Sequence, residues 1–373
     1  MPKIKIKTAY MTRFGRSGAD YLSLVGSALD GALAGVDVER IDRVYLSSFA
    51  PSELCGIADP LGALRRLLAE RHPRLSAALN GPYKTGGEAL FEALEVSSRG
   101  DVLMVACEKM THVGAGTAAG LLSPRVNPVE RLYGATLPAL AALVTRAYLR
   151  AYRVPYHALH RVAVKNHANA AGNPNAHFRR PVDAGEVAAS PLVADPLRRH
   201  HCAPMSDGAA ACVLSPTDGD VAIRGWGRGL DAALFHERSN LARFPSAARA
   251  ACAAFAAAGV APRDVDVVEI HDAFSPFELM NLEEMGFYPM GRAWAALEAG
   301  ELDIGARVAV NPSGGMKARG HPIGVCGLSS AVEMHAQLTG SAGARQHAAA
   351  RVGVIQSAGG VARDSYVFVL EAA

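Results

Sequence analysis

No excess of charge, no long apolar run and no closely paired cysteines occur in this chain, and each absence excludes a class of protein. A formal charge of +3 over 373 residues is too small to predict binding to nucleic acid or to a membrane surface. No segment reaches the ~18 consecutive apolar residues of a membrane-spanning helix. The first residues, MPKIKIKTAYM, alternate in polarity and contain no apolar signal-peptide core. We therefore expect a cytoplasmic protein.

The cysteines show neither the spacing of a disulfide framework nor the C-x-x-C pairs of a metal site. Most stand in apolar segments such as AAACVL and LMVACEK, which predicts free thiols in a reducing compartment. His200, His201 and Cys202 are adjacent, but neighbouring side chains point apart and no second ligand pair has a suitable spacing. We expect no metal. The six cysteines are Cys55, Cys107, Cys202, Cys212, Cys252 and Cys326.

Two segments echo each other and organise the chain into halves. ALAGVDVERIDRVYLSS (32–48) is similar to AAAGVAPRDVDVVEIHD (256–272), and Asp42 of the first corresponds to Asp266 of the second. Each consists of an Ala-rich helix, a glycine, an acidic loop and an apolar strand. Helices that alternate with apolar strands predict stacked α/β layers. We expect an N-terminal half over residues 1–216 and a related C-terminal half over 217–373.

Residues from about 113 to 200 interrupt this pattern. The segment contains a helical stretch, ATLPALAALVTRAYLRAY, followed by the polar, histidine-rich KNHANAAGNPNAHFRRP. We interpret it as an insertion in the first half, which then closes with the strand-like SDGAAACVLS. Long insertions of this kind usually carry ligand contacts or an oligomer surface.

Two segments of the second half concentrate residues that are able to do chemistry. In EIHDAFSPFE a buried strand runs into His271, which places this side chain at the carboxyl end of an α/β strand, where such folds bind ligands. A histidine that merely satisfies the strand end is the alternative. NPSGGMKARGHPIGVCG (311–327) joins a strand to a helix and contains His321. Its glycines bring the backbone close to a substrate, and N–H groups that open a helix favour an oxyanion.

A third segment, TGGEAL, opens a helix in the first half. Tyr83 stands just before this helix N-terminus. A cysteine in that place would have a lowered pKa and a stabilised thiolate. The start of this helix therefore favours an anionic side chain or ligand near Tyr83.

Together these segments resemble the thiolase superfamily, and specifically the sterol-carrier-type thiolases, in which histidine replaces asparagine in an HDxF motif. The resemblance covers residues 8 to 370 approximately. It implies a five-layered αβαβα fold made of two pseudo-duplicated halves with an inserted loop domain, a homodimer, and binding of coenzyme A thioesters as substrates. The segments that carry it are NPSGGMKARGHPIG, EIHDAF, CEKMT, APMSDGAAACVL and VAVKNHANAAGNPNAHFRRP.

The resemblance also implies roles for individual residues. In the family the GHP histidine, here His321, activates a cysteine, and the HDxF histidine, here His271, helps to form an oxyanion hole. The cysteine of the family's CxSGG motif corresponds to Tyr83, and the cysteine of its CxG motif corresponds to Ser357. Neither a phenol nor a serine hydroxyl ionises readily near neutral pH. From its glycines and the helix that it opens, we expect the loop before His321 to bind the thioester substrate through Ser313, Gly314, Gly315 and Gly320.

An oxyanion hole and a framework for CoA suffice for chemistry that passes through a thioester enolate without an acyl-enzyme. Retro-aldol cleavage of a β-hydroxyacyl-CoA fits this requirement, as does the reverse condensation. Some relatives that lack the cysteine are aldolases acting on steroid side-chain CoA esters, often with a small companion protein that has a zinc ribbon and an OB-fold. Two alternatives stay open: a non-catalytic subunit of a complex, and an acyltransferase of specialised metabolism.

Several residues have two interpretations. Tyr83 is either an acid–base that binds the substrate hydroxyl or a bulky plug in the nucleophile's place, and Tyr288 is a second phenol expected near the pocket. Arg179 and Arg180 either meet the CoA phosphates or lie on a solvated face. Cys326, just after GHPIG, is the thiol closest in sequence to the lost nucleophile's partner, and helix packing is its favoured interpretation over covalent catalysis.

Overall fold

The computed structural model describes residues 4–96, 100–122, 126–232, 234–348 and 350–373. Within these ranges, no helix combines the length and the apolar character that crossing a bilayer requires. The helices are α1 (Tyr21–Leu33), α2 (Pro51–Cys55), α3 (Pro60–Arg71), α4 (Gly86–Glu95), α5 (Ala115–Leu122), α6 (Pro128–Leu132), α7 (Leu137–Tyr152), α8 (His157–Ala171), α9 (Ala184–Ala189), α10 (Pro245–Ala258), α11 (Ser275–Glu284), α12 (Ala293–Glu298), α13 (Gly315–Arg319) and α14 (Cys326–Leu338). The strands are β1 (Ile4–Met11), β2 (Ile41–Ser47), β3 (Ala78–Tyr83), β4 (Asp101–Glu108), β5 (Leu192–Ala194), β6 (Leu197–Arg198), β7 (Gly208–Ser215), β8 (Val221–Leu230), β9 (Val267–Glu269), β10 (Ala309–Val310), β11 (Val352–Gly359) and β12 (Asp364–Ala372).

One mixed sheet joins the two halves of the chain. Its strand order is β10-β9-β11-β12-β8-β1-β7-β4-β2-β3. Read outward from the centre, β1-β7-β4-β2-β3 has the same topology as β8-β12-β11-β9-β10, and the two halves meet where β1 pairs antiparallel with β8. The α/β class and the internal duplication predicted from the sequence echo are confirmed.

The helices form three layers around the two halves of the sheet. α1 and α3 cover the outer face of the N-terminal half, and α10 covers the outer face of the C-terminal half. α4 and α14 lie between the halves, where their apolar side chains share one core with strands from both. The sequence of layers is αβαβα, as the resemblance implied.

The two echoed aspartates have equivalent roles in the two halves. Asp42 accepts a hydrogen bond of 3.3 Å from the backbone N–H of Gly100, one residue before β4. Asp266 accepts hydrogen bonds of 2.9 Å from the backbone N–H groups of Arg351 and Val352, where β11 begins. Each carboxylate thus ties the start of one strand to the start of its parallel neighbour, which explains why the acidic loop recurs.

The insertion follows β4 and contains α5 to α9 with the two-stranded ribbon of β5 and β6. Its helix α8 packs against α11, α12 and α13 of the C-terminal half. The insertion therefore lies over the ends of the strands that lead into the two chemistry-bearing segments.

α4 and α14 meet backbone to backbone at their N-terminal ends. A Cβ atom added at Gly86 would lie 2.6 Å from the backbone nitrogen of Leu328, and one added at Gly327 would overlap the backbone nitrogen of Gly87. Only glycine permits this approach, since real Cβ atoms do not come so close to backbone atoms. The positive ends of two helix dipoles, one from each half, consequently point to one place.

We predict that Gly327→Ala lowers the free energy of unfolding by about 1–3 kcal/mol, because the added methyl group forces the two helix ends apart. Chemical denaturation followed by circular dichroism measures the change. Gly18→Ala is the matched control, since an added Cβ there meets no atom within 4 Å, and its effect should stay within about 0.5 kcal/mol. Equal stability of the two variants would show that the helix ends are not tightly packed.

Candidate active site

A cavity of about 230 Å³ lies where the N-terminal ends of α4 and α14 meet the carboxyl ends of β9 and β11. Most of its surface is apolar, contributed by side chains such as Phe49, Met205 and Phe274. A few polar groups converge on it. They are the side chains of Thr85, His271, His321, Cys326 and Ser357.

The two predicted histidines face each other in this cavity. The ring centroids of His271 and His321 are 5.5 Å apart, and the ring planes are nearly perpendicular at 87°. Burial lowers the pKa of His271 well below its usual range, and the neighbouring His321 lowers it further. Burial also lowers the pKa of His321 to about 4, with help from the positive charge of Arg319. Both imidazoles are therefore neutral at pH 7, so each has one N–H donor and one acceptor nitrogen.

Backbone contacts fix the position of His271. Its N–H donates to Oε1 of Gln356 at 3.0 Å, and Nδ2 of Asn281 donates to its carbonyl at 3.4 Å. Nδ1 of His271 is buried and has no hydrogen-bond partner among the described residues. A buried nitrogen without a partner is unfavourable in the free protein, which makes it suited to meet a polar group of a ligand.

His321 is held from both sides. Its backbone N–H donates to Oγ of Ser206 at 3.1 Å, and its ring nitrogen Nδ1 lies 2.8 Å from Sγ of Cys326. The preceding residue, Gly320, has φ = 118°, and a Cβ there would lie 2.7 Å from Oγ of Ser206. This glycine shapes the loop that presents His321.

The rest of the glycine-rich loop is anchored beneath the cavity. Glu269 pairs with Arg319 at 2.9 Å, with both side chains buried, and Oγ of Ser313 donates to the same carboxylate at 2.7 Å. Gly314 and Gly315 have φ values of 98° and 58°. Ser313 and the three glycines therefore build the loop, and none of them is among the described residues that line the cavity.

The structure does not bring the two predicted tyrosines to this cavity. Tyr83 ends β3, and its ring stacks on Tyr45 with a centroid distance of 6.0 Å and an interplanar angle of 24°. α4 begins after two more residues, and its N-cap Thr85 occupies the cavity wall instead. Tyr288 lines a separate depression beside Glu301 and Arg307. Burial raises the pKa of both phenols.

The predicted arginines lie on the surface of the insertion. Arg179 is exposed, and Arg180 is exposed and pairs with Glu186. A different cation is enclosed nearby: Lys317 lies 3.4 Å from Nε2 of His167, and its burial lowers its pKa to about 8.

Three polar groups of the cavity were not predicted as site residues. Oγ of Thr85 accepts the N–H of Glu88 at 3.1 Å as the helix cap. Oγ of Ser357 is buried and has no partner within the described part of the chain. Cys326 begins α14 and faces His321. Sequence signals existed for the last two, in the SAG that ends β11 and in GHPIGVCG.

The cavity adjoins a larger chamber of about 480 Å³. The two share the described wall residues Phe49, Leu137, Gly359 and Gly360. The larger chamber has charged groups of both signs in its wall, namely Glu53, Lys84, Glu130, Arg238, Arg363 and Asp364. An apolar inner cavity and a charged outer chamber thus lie side by side.

Solved structures share this fold. The "Ltp2-ChsH2(DUF35) aldolase" superposes with a TM-score of 0.82 at 22% sequence identity, over 100% of this chain and 98% of that one. Human mitochondrial 3-ketoacyl-CoA thiolase in complex with CoA gives a TM-score of 0.74 at 15% identity, over 100% and 98% of the two chains.

Sequence comparisons agree with the fold. Acetyl-CoA acetyltransferase of Methanothermobacter thermautotrophicus is 33% identical over 96% of this chain and 96% of its own. Sterol carrier protein 2 of Rattus norvegicus is 28% identical over 96% of this chain and 70% of its own. The family described as "Thiolase, N-terminal domain" matches residues 4–218, and "Thiolase C-terminal domain-like" matches residues 227–372. The chain belongs to the thiolase family.

Proposed function

We propose that this protein cleaves or forms a carbon–carbon bond of a CoA thioester through an enolate, by retro-aldol or aldol chemistry, without a cysteine acyl-enzyme at the start of α4. One observation carries the proposal. Two neutral, enclosed histidines face each other in an apolar cavity, while the helix end that bears the family's nucleophile has Tyr83, Lys84 and Thr85.

The chemistry needs two kinds of group. In the cleavage direction a β-hydroxyl loses its proton, the Cα–Cβ bond breaks, and its electron pair passes into the thioester carbonyl as an enolate. An N–H donor aimed at the enolate oxygen lowers the barrier by ~3 kcal/mol. His271 is suited to donate this hydrogen bond, and the acceptor nitrogen of His321 is suited to take the hydroxyl proton. The apolar wall strengthens both interactions.

The products would be a ketone or an aldehyde and a shorter acyl-CoA. The outer chamber has room for the part of the acyl group remote from the thioester. Contact of the CoA phosphates with Arg179 and Arg180 stays a prediction, which their exposure on the insertion allows.

Two further features belong to the proposal. The aldolase that shares this fold is named with a second component, "ChsH2(DUF35)", which supports a companion protein. We propose, from the family resemblance, that this companion is small and has a zinc ribbon and an OB-fold. β3 is the edge of the ten-stranded sheet, and all six of its residues are partly or fully exposed. An unpaired edge strand is a ready surface for a second copy of the chain, which supports a homodimer.

Acyl transfer is the second candidate, because the relative with 33% identity is named acetyl-CoA acetyltransferase. Release of a ketone or aldehyde from a β-hydroxyacyl-CoA separates cleavage from acyl transfer. A third possibility, a non-catalytic subunit, requires no CoA binding, and calorimetric titration with CoA separates it from both enzymes.

We predict that His271→Ala and His321→Ala each reduce kcat/KM for β-hydroxyacyl-CoA cleavage by ~10²–10³, as loss of an oxyanion donor or a general base does. Free CoA, which has no thioester carbonyl, should bind both variants with unchanged affinity in calorimetric titration. His157→Ala is the control, because His157 is an exposed histidine on α8. Unchanged cleavage in the two cavity variants would sink the proposal.

We predict that Tyr83→Phe retains activity within about twofold, far from the ~10²–10⁴-fold loss expected when a general acid–base is removed. The reason is that the Tyr83 ring stacks on Tyr45 rather than lining the cavity. Steady-state cleavage kinetics measure the effect. A loss of a hundredfold with unchanged thermal stability would show that the phenol takes part in the reaction.

A further inference from the structure

Two cysteines line the inner cavity, and their surroundings differ. Sγ of Cys202 donates to the carbonyl of Arg198 at 3.5 Å, and its side chain packs against the apolar core. Sγ of Cys326 lies 2.8 Å from Nδ1 of His321 and 3.3 Å from the carbonyl of Pro322. Cys326 thus forms a thiol–imidazole pair inside the proposed substrate site.

Cys326 is also the first residue of α14. The N-terminal end of this helix meets that of α4 at the cavity, where Cys326 and Thr85, the residues at the two helix starts, both line the wall. Positive helix ends stabilise a thiolate that forms there. The helix end therefore offsets part of the cost of forming a thiolate at this buried sulfur.

The resting pair is neutral. Burial raises the pKa of the Cys326 thiol and lowers that of His321 to about 4. A neutral thiol beside a neutral imidazole is a proton donor, whereas a cysteine nucleophile works as a preformed thiolate. Proton transfer suits Cys326 better than acyl transfer.

The proposed reaction has an unfilled role for such a donor. The enolate carbon must gain a proton, and Ser357, at the end of β11, is too weak an acid to supply it. Two buried polar atoms in the same cavity, Oγ of Ser357 and Nδ1 of His271, have no partner among the described residues. They mark the cavity as a place that receives a polar ligand.

We propose that Cys326, paired with His321, exchanges a proton with the Cα atom of the bound acyl-CoA. The inference rests on the proposed enolate chemistry. In the cleavage direction a Cα–H bond forms as the S–H bond of Cys326 breaks. The thiolate then regains a proton from Nδ1 of His321, whose other ring nitrogen has taken the proton lost by the β-hydroxyl. No oxidant, reductant or further reactant is needed, and condensation reverses each transfer.

The first test measures exchange of the Cα protons of propionyl-CoA with D₂O by NMR, which reports on the enolate without a cleavable substrate. Wild-type protein should exchange them. Cys326→Ser and Cys326→Ala should lose ~10²-fold or more of this rate, as expected for removal of a general acid–base. Cys252→Ala, at an exposed cysteine of α10, should exchange at the wild-type rate.

The second test asks whether the thiol is reachable from the substrate site. Bromoacetyl-CoA should alkylate Cys326 with loss of bromide, free CoA should protect it, and His321→Ala should slow the labelling. Peptide mass spectrometry identifies the site. Labelling of Cys252 but not Cys326 would overturn the inference whether or not the protein is a lyase.

The outcomes separate the two proposals. Exchange in wild-type protein that persists in a folded Cys326→Ser variant overturns the role of Cys326 and leaves the enolate chemistry intact. Binding of propionyl-CoA without exchange or cleavage overturns both. An acyl group found on Cys326 after incubation with propionyl-CoA also overturns the inference, because the sulfur would then be a nucleophile. Thermal denaturation of Cys326→Ser and Cys326→Ala distinguishes loss of exchange from loss of folding.

Discussion

The close contact between the first turns of α4 and α14 is the constraint on which the rest of the structure depends. Glycine at positions 86 and 327 lets the two backbones touch, and this contact draws one helix end from each half of the chain to a single point. The cavity exists because those helix ends stop there. Thr85 and Cys326 reach its wall because they begin the two helices. A larger residue at the crossing would therefore disturb fold and site together.

Burial determines the charge states of the side chains around this cavity. The ion pair of Glu269 with Arg319 fixes the loop that precedes His321. Removing two charges from water costs free energy, which is recovered only with close geometry and additional hydrogen bonds. Ser313 supplies such a hydrogen bond to Glu269. The same exclusion of water keeps His271 and His321 uncharged. An uncharged imidazole offers a donor and an acceptor at once, so a single pair of rings can serve both a developing oxyanion and a departing proton.

Much of this was predictable from sequence, for identifiable reasons. The duplicated helix, acidic loop and strand predicted two α/β halves, because the pattern of apolar residues follows the layers. The motifs predicted His271 and His321, because one follows directly after a buried strand and the other directly after the glycine-rich loop. Tyr83 was harder: its place in an alignment does not reveal that β3 continues through it and turns its ring toward Tyr45. The pairing of Cys326 with His321 was missed because a small residue after GHPIG is consistent with helix packing. Residues of the outer chamber come from distant segments, which no local pattern connects.

The central layer of helices has a consequence for how such a chain could arise. α4 belongs to one half and α14 to the other, yet their apolar faces lie in a single core that includes strands from both. Neither half encloses its own interior, so a separate half would leave the inner face of its sheet and helix in water. A protein of half this length would have needed a second copy of itself to close the core, packed around a two-fold axis. In a single chain that holds both halves, the two helix ends at the centre need not be alike, and here one presents Thr85 and the other Cys326.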